Sequence, residues 1–266
     1  MNRSAIAALS LLAAVSAAPS AHAEGGWWSG QWYLKVGVAG FRAPKFEGSR
    51  NYMFSAIPLV SLGKAGPEAR FSSRNDNISF AFVDTGRFRA GAVGKLIFGR
   101  DSDDEPETAG LSDVRFGGEA GVFAEVYPTD WLRLRGEVRH GIRSHSGVVA
   151  DLAADAFVDL TETVRLSAGP RASWGSSDYF DAYYGVTADE AAASGLSAYA
   201  PSSGLASVGA GGAVTWQATE KLTASVFGEY SRLMGPAADS SLVRERGSRN
   251  QLLIGVSSTY RFDFDL

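Results

Sequence analysis

Apolar and polar residues alternate along this chain with a period of two. From Gln251 to the end, Leu252, Ile254, Val256, Tyr260, Phe262, Phe264 and Leu266 share one parity, and Gln251, Ser257, Thr259, Arg261, Asp263 and Asp265 share the other. Successive side chains of a strand point to opposite faces, so this pattern predicts a strand with one apolar and one wet face. The even-numbered apolar parity returns upstream. Trp32, Leu34, Val36 and Val38 oppose Gln31, Lys35 and Gly37, and Phe88, Ala90, Ala92, Leu96 and Phe98 oppose Arg87, Arg89 and Lys95. Val164, Leu166, Ala168, Ala172 and Trp174 oppose Arg165, Ser167, Arg171 and Ser173; Ala206, Val208, Ala210, Val214 and Trp216 oppose Ser207, Thr215 and Gln217.

About twelve such segments are predicted, each near the length of a tilted membrane strand. Their cores begin near Gly30, Tyr52, Glu68, Asn77, Arg87, Arg115, Trp131, Val148, Val164, Leu205, Lys221 and Asn250. The second is weak, because Met53, Ile57 and Leu59 make its inner face apolar and Pro58 removes a ladder donor. The third is short, so ten strands is the alternative count. Short turns at 84–86, 128–130, 161–163 and 218–220 largely alternate with long connections at 42–50, 101–113, 176–204 and 234–249. Membrane barrels sort their loops in this way, with short periplasmic turns and long external loops. The expected fold is therefore all-β, a closed antiparallel transmembrane β-barrel. A lipocalin-like soluble barrel is the competing architecture, but it would turn its apolar parity inward. Trp32, Trp216, Tyr230, Tyr260 and Phe262 fall near strand ends on the outward parity, as an interfacial girdle requires. Trp131 lies on the other parity, where it would cap the lumen.

Composition adds compartment. Arg3, the apolar run Ala5 to Ala18 and Ala21-His22-Ala23 read as a secretory signal over residues 1–23, which leaves residues 24–266 as the barrel domain. No later stretch has the roughly 20 apolar residues of a membrane helix, so any spanning falls to strands. There is no cysteine, which excludes disulfides and thiolate metal sites. The net charge of −4 makes nucleic acid an unexpected partner.

The wet parity carries the charge. Arg133, Arg135, Glu137, Arg139 and Arg143 share a face of one strand, and Asp151, Asp155 and Asp159 share a face of the next. A hairpin centred near His145 would set Arg135 opposite Asp155 and Arg139 opposite Asp151. The preceding strand would bring Glu125 to Arg133 and Glu119 to Arg139. The expected result is a Glu–Arg–Asp lattice in the lumen, which either fills a narrow barrel with paired charge or forms a selective constriction. Catalysis has little support: His140 takes the lipid parity, and His145 sits in a tight hairpin between Ser144 and Ser146. The acidic run 101–105 lacks the spacing of a calcium loop and reads as solvated. No cofactor is expected. Thr187 to Glu190 has capping-box spacing, followed by Ala191 to Ala193 and Gly195, which predicts a short helix capped at both ends.

Several passages carry a resemblance. They are Pro44, Phe46, Gly48 and Ser49; Gly110-Leu111-Ser112-Asp113; His145-Ser146-Gly147; the run Tyr179 to Val186 followed by Ser194-Gly195-Leu196 and Tyr199; and the terminal Tyr260-Arg261-Phe262. Across nearly the whole chain after the signal, the sequence resembles the MipA/OmpV family of outer-membrane proteins. The resemblance implies a non-enzymatic barrel in the outer membrane, in contact with its lipid. It also implies a scaffold for a periplasmic lytic transglycosylase and a penicillin-binding murein synthase, although other members resemble porins or adhesins. Tyr260, Phe262, Phe264 and Leu266 would form the C-terminal signal for the barrel-insertion machinery, with Leu266 standing where a terminal aromatic is usual. A monomer is expected.

Overall fold

The structure is a computed structural model, and it describes residues 30–64, 71–73 and 76–265. The expected signal peptide, and Leu266 of the C-terminal signal, lie outside the described residues.

Among the described residues eleven strands form one sheet: β1 (Gln31–Pro44), β2 (Tyr52–Lys64), β3 (Ile78–Asp84), β4 (Phe88–Ile97), β5 (Gly117–Thr129), β6 (Leu132–Ile142), β7 (Val148–Asp159), β8 (Val164–Gly175), β9 (Gly204–Gln217), β10 (Leu222–Leu233) and β11 (Asn250–Asp265). Every neighbouring pair is antiparallel, in the order β2-β1-β11-β10-β9-β8-β7-β6-β5-β4-β3. The N- and C-terminal strands meet along a long ladder, from Gln31 opposite Asp265 to Arg42 opposite Ile254. The sheet wraps around a common interior, since residues of β1, β2, β4, β8, β10 and β11 line one cavity.

Among the described residues the strands number eleven, against the expected twelve or ten, and the order ends at β2 and β3, with no ladder between them. The predicted third strand, near Glu68, falls mostly outside the described residues. Where the chain is described again, it climbs inside the sheet rather than in the wall. Phe71 stacks on Phe157 with ring centroids 4.7 Å apart and accepts a hydrogen bond from Tyr127 Oη at its carbonyl, and Asn77 reaches Glu137. A chain that finds aromatic and charged partners inside has no need of ladder partners there.

The even parity faces outward. Val36, Val38, Val122, Val138, Leu152, Val214, Val226, Ile254, Val256, Tyr260 and Phe262 are all exposed on the outer surface. That surface needs lipid, because an apolar belt around a whole molecule far exceeds the patches that water tolerates. Trp216, Tyr230, Tyr260 and Phe262 sit exposed near strand ends, as a girdle requires. Trp32 departs from the expectation and is buried, at 4% exposed. Trp131 does not cap the lumen; it stands 56% exposed in the turn between β5 and β6.

The long connections share one end and pack into a roof. The 176–203 connection contains α1 (Ser177–Tyr184) and α2 (Ala188–Ser194), and the 234–249 connection contains α3 (Gly235–Asp239) and a π-helical turn, Leu242–Arg246. The expected capping box at α2 is present: Thr187 accepts from Glu190 N, and Glu190 accepts from Thr187 N. Gly195 closes the helix with φ 76°, a conformation that a side chain disfavours. Phe180, Tyr184, Leu233, Ala237, Ala238 and Val243 form one apolar cluster, and Phe46, Leu111, Val186, Leu196 and Leu242 form a second. All four long connections contribute to these two clusters, so the roof is a small domain core in its own right.

Glu190 ties the roof across two connections. Burial pushes its carboxyl up, but hydrogen bonds from Ser112 and Thr187 outweigh this and hold it at about 2. A carboxyl depressed from its ordinary 4.5 contributes stability above that value and loses it as pH falls toward about 2. The amides of Ser112 and of α2 are therefore expected to exchange faster with solvent between pH 4.5 and about 2. Glu190→Gln should remove that pH dependence; a retained dependence would assign it to another group.

Candidate functional site

The odd parity of β4 to β8 turns a set of charges into the interior, and the structure links them. Arg133, 1% exposed, donates from Nη1 to Asp76 Oδ2 at 2.6 Å and from Nη2 to Asp76 Oδ1 at 2.8 Å. Its Nη2 also donates to Asp155 Oδ2 at 2.7 Å, and its guanidinium lies 4.9 Å from the Phe71 ring centre. Arg135 donates to Glu125 at 2.9 Å and to Glu137 at 2.8 Å, with its plane over Phe123. Arg139 reaches three carboxylates: Glu119 at 2.7 Å, Glu137 at 2.5 Å and Asp151 at 2.5 Å. Arg89 joins Glu125 to Asp84, and Arg171 joins Asp155 to Ser73. Bidentate and multidentate guanidinium contacts of this kind are the strong, directional form of the ion pair.

Of the sequence-predicted lumen residues, Glu119, Glu125, Arg133, Arg135, Arg139, Asp151 and Asp155 come together, and Asp159 does not. Asp159 sits at the exposed turn end of β7, opposite Arg165 of β8, and accepts from Arg165 Nε at 2.6 Å. The register also differs. Arg133, not Arg135, stands opposite Asp155, and Arg139 stands opposite Val149 while reaching Asp151 diagonally. On the other side, Glu125 stands opposite Arg135, and Glu119 reaches Arg139 diagonally past Gly141. A bulge between Val126 and Thr129 displaces that hairpin. The sequence reading missed Phe71, Ser73, Asp76 and Asn77. Their segment looks like a strand by length and polarity, and nothing in its pattern distinguishes a lumen segment from a wall.

His145 joins lattice to roof. Its Nε2 donates to Glu119 Oε1 at 3.1 Å, and its Nδ1 accepts from Gly147 N at 3.1 Å. The edges of Tyr179 and Tyr183 close on its ring. With both nitrogens engaged, it has no free position to act as a base toward Ser144 or Ser146. Above it, Tyr179 Oη donates to Glu47, whose carboxyl is pushed up by burial against the opposing pull of Lys95.

Between lattice and roof lies a cavity of about 400 Å³, faced by Lys95, Asp151, Arg171, Glu229, Tyr179 and Tyr183 among others. Four of the five sequence passages that carry the family resemblance meet at this roof. Phe46 enters an apolar cluster, and Gly48, at φ 100°, donates to Gln251. Gly110, at φ 85°, lies so close to α2 that a Cβ would fall 2.8 Å from the Ser194 backbone. Gly147 passes the N-terminus of α1 with similar closeness. The acidic run is internally satisfied: Asp101 caps the 3-10 turn Ser102–Asp104, and Asp113 holds Ser102. Among the described residues no three histidine or acidic side chains come together as metal ligands. Of the C-terminal aromatics, Tyr260 and Phe262 touch at 4.8 Å on the outer face of β11, and Phe264 pairs with Trp32 across to β1.

An antiparallel sheet with an apolar exterior, wrapped around buried charge and roofed by its long loops, defines an outer-membrane β-barrel protein. The family model described as MltA-interacting protein MipA matches residues 36–262. The chain belongs to that family, and its place is the outer membrane. No curated protein matches it in sequence. Among solved structures it is similar to a bacterial polysaccharide outer membrane secretin, at 8% identity and TM-score 0.45 over 86% of this chain and 98% of that one. It is also similar to OprB of Pseudomonas putida, at 13% identity and TM-score 0.38 over 68% and 46%. Neisserial surface protein A matches at 10% identity and TM-score 0.26 over 88% and 99%. Likenesses this loose carry no weight for function.

Proposed function

We propose that this protein is a non-conducting, non-enzymatic barrel that scaffolds peptidoglycan-remodelling enzymes at the outer membrane, a lytic transglycosylase and a murein synthase. The observation that carries the reading is the double obstruction of the lumen. The Arg133–Asp76–Asp155 cluster crosses the lower half, and the packed roof covers the upper end. A pathway obstructed twice leaves the surfaces to do the work. The name of the matched family, MltA-interacting protein, supports the lytic transglycosylase as one partner.

The periplasmic surface is small: the short turns and the strand termini beside them. Trp131 and Leu160 stand 56% and 59% exposed there, and exposed aromatics are the usual anchors of protein interfaces. Trp131→Ala with Leu160→Ala is expected to reduce co-purification of a lytic transglycosylase about tenfold. Unchanged recovery from a correctly folded barrel would move the docking elsewhere.

The cavity beneath the roof favours a second reading, a small polar solute held or passed by the barrel. Single-channel recording separates the two. Scaffolding expects silence from a barrel shown folded by its heat-modifiable gel shift. A channel expects discrete steps whose ion selectivity changes when Asp151 and Asp155 are replaced by Lys.

A further inference from the structure

The outward parity is almost free of charge, and its exceptions are placed unequally. Among all strand positions of even number, the arginines are Arg42 near the end of β1 and Arg232 near the end of β10; the other charged residues are Lys64, the last residue of β2, and Asp84, below a bulge, both at the opposite end. Every other strand arginine lies on the inward parity. Both exceptions stand at the roofed end, on strands that flank β11.

Their surroundings are built from neutral polar groups. The Arg42 guanidinium stacks over the Tyr52 ring at 4.4 Å, and Tyr52 Oη accepts from Leu252 N at 3.2 Å. Arg232 donates from Nη1 to Asn250 Oδ1 at 3.1 Å, and Tyr230 Oη donates to the same oxygen at 2.8 Å. No carboxylate pairs with either arginine among the described residues. Each guanidinium is oriented, yet keeps donors free toward the outside.

The height is also defined. From Leu222 to Arg232 the outward positions are Leu222, Ala224, Val226, Gly228 and Tyr230, about 33 Å of strand at roughly 3.3 Å per residue. At a tilt of about 40° this rises about 25 Å, the height of the apolar band of a membrane barrel. Arg232 therefore stands where hydrocarbon gives way to headgroups. An arginine facing lipid is costly at mid-membrane and readily tolerated at this boundary.

We propose that Arg42, Tyr52, Tyr230, Arg232 and Asn250 form a binding surface for the phosphate-bearing headgroup of an anionic lipid in the outer leaflet. The guanidiniums meet the phosphate oxygens, and the tyrosines sit at the polar boundary as interfacial aromatics do. With no carboxylate beside them, the two positive charges favour a lipid of net negative charge over a zwitterionic one. It extends the outer-membrane assignment to a particular lipid class and does not depend on the scaffold reading.

The test uses the full-length protein in nanodiscs of phosphatidylcholine with a minor share of phosphatidylglycerol, and in parallel with diphosphorylated lipid A. Lipids retained after extraction are counted by native mass spectrometry. Wild type is expected to retain either anionic lipid on the order of tenfold above its share, since each interfacial arginine adds a several-fold preference. Arg42→Gln with Arg232→Gln should return retention to the bulk ratio; Arg42→Lys with Arg232→Lys should keep most of it. Arg87→Gln, at the other end, should change nothing. Each variant is first checked by its gel shift. Equal enrichment in wild type and the glutamine variant would overturn the proposal. So would displacement of the retained lipid by inorganic phosphate, which would mark a site for free anions.

Discussion

Arg133→Ala is expected to destabilise the barrel by about 3–5 kcal/mol, more than any outward-facing substitution. The side chain is 1% exposed and neutralises Asp76 and Asp155, with Glu125 3.4 Å away. Removing it leaves carboxylates in a space that water enters poorly, and their desolvation is then uncompensated. The pairs themselves contribute much less than this loss, because assembling buried charge costs nearly what it returns. Neutralising the partners should therefore recover part of the stability: Arg133→Met with Asp76→Asn and Asp155→Asn ought to lie between wild type and the single variant. Urea unfolding in lipid, followed by the gel shift, measures both. A single variant as stable as wild type would show that water solvates the cluster.

Phe180→Ala is the second large effect, and it acts on a different unit. Phe180 is 0% exposed, packs against Tyr179 and Tyr184, and belongs to the cluster that holds α1, α3 and the ends of β7 and β9 together. Truncating a buried phenylalanine costs about 3–5 kcal/mol. Because the strands have their own ladders, the loss should appear as local opening of the roof rather than global unfolding. Amide exchange should rise across 177–204 and 235–247 while β5 to β8 stay protected. Conductance should remain silent, since the lattice below is untouched; combining Phe180→Ala with Arg133→Ala should be needed to open a path. Conductance from Phe180→Ala alone would mean that the lattice is permeable.

Much of the wall is legible in the sequence, because lipid outside and charge inside demand opposite residues at alternate positions. Val122 and Glu125, or Val138 and Arg139, can only be placed one way. Register is not legible for the same reason. The expected pairing of Arg135 with Asp155 misses the observed Arg133 by two residues, and a two-residue slip keeps every side chain on its own face. No penalty in the apolar pattern opposes it. Asp76 is hidden because its segment lies inside the barrel, where polarity resembles that of any loop. The roof is hidden because its contacts join distant connections, as Lys45 to Glu105 or Ser112 to Glu190 do, and no local period records such contacts. Only the α2 capping box, wholly local, can be read beforehand.

The ladder between β1 and β11 has a consequence for how the molecule is made. Trp32 lies opposite Phe264, so one edge of the β1–β2 hairpin waits for a partner 232 residues further along the chain, since 264 − 32 = 232. Contacts so far apart in sequence form slowly, and an unpaired apolar strand is a template for association with other chains. A molecule that stalls before β11 arrives carries that hazard through the aqueous periplasm. Chaperones that shield the leading hairpin, rather than the trailing strands, would thus have the greatest influence on its yield.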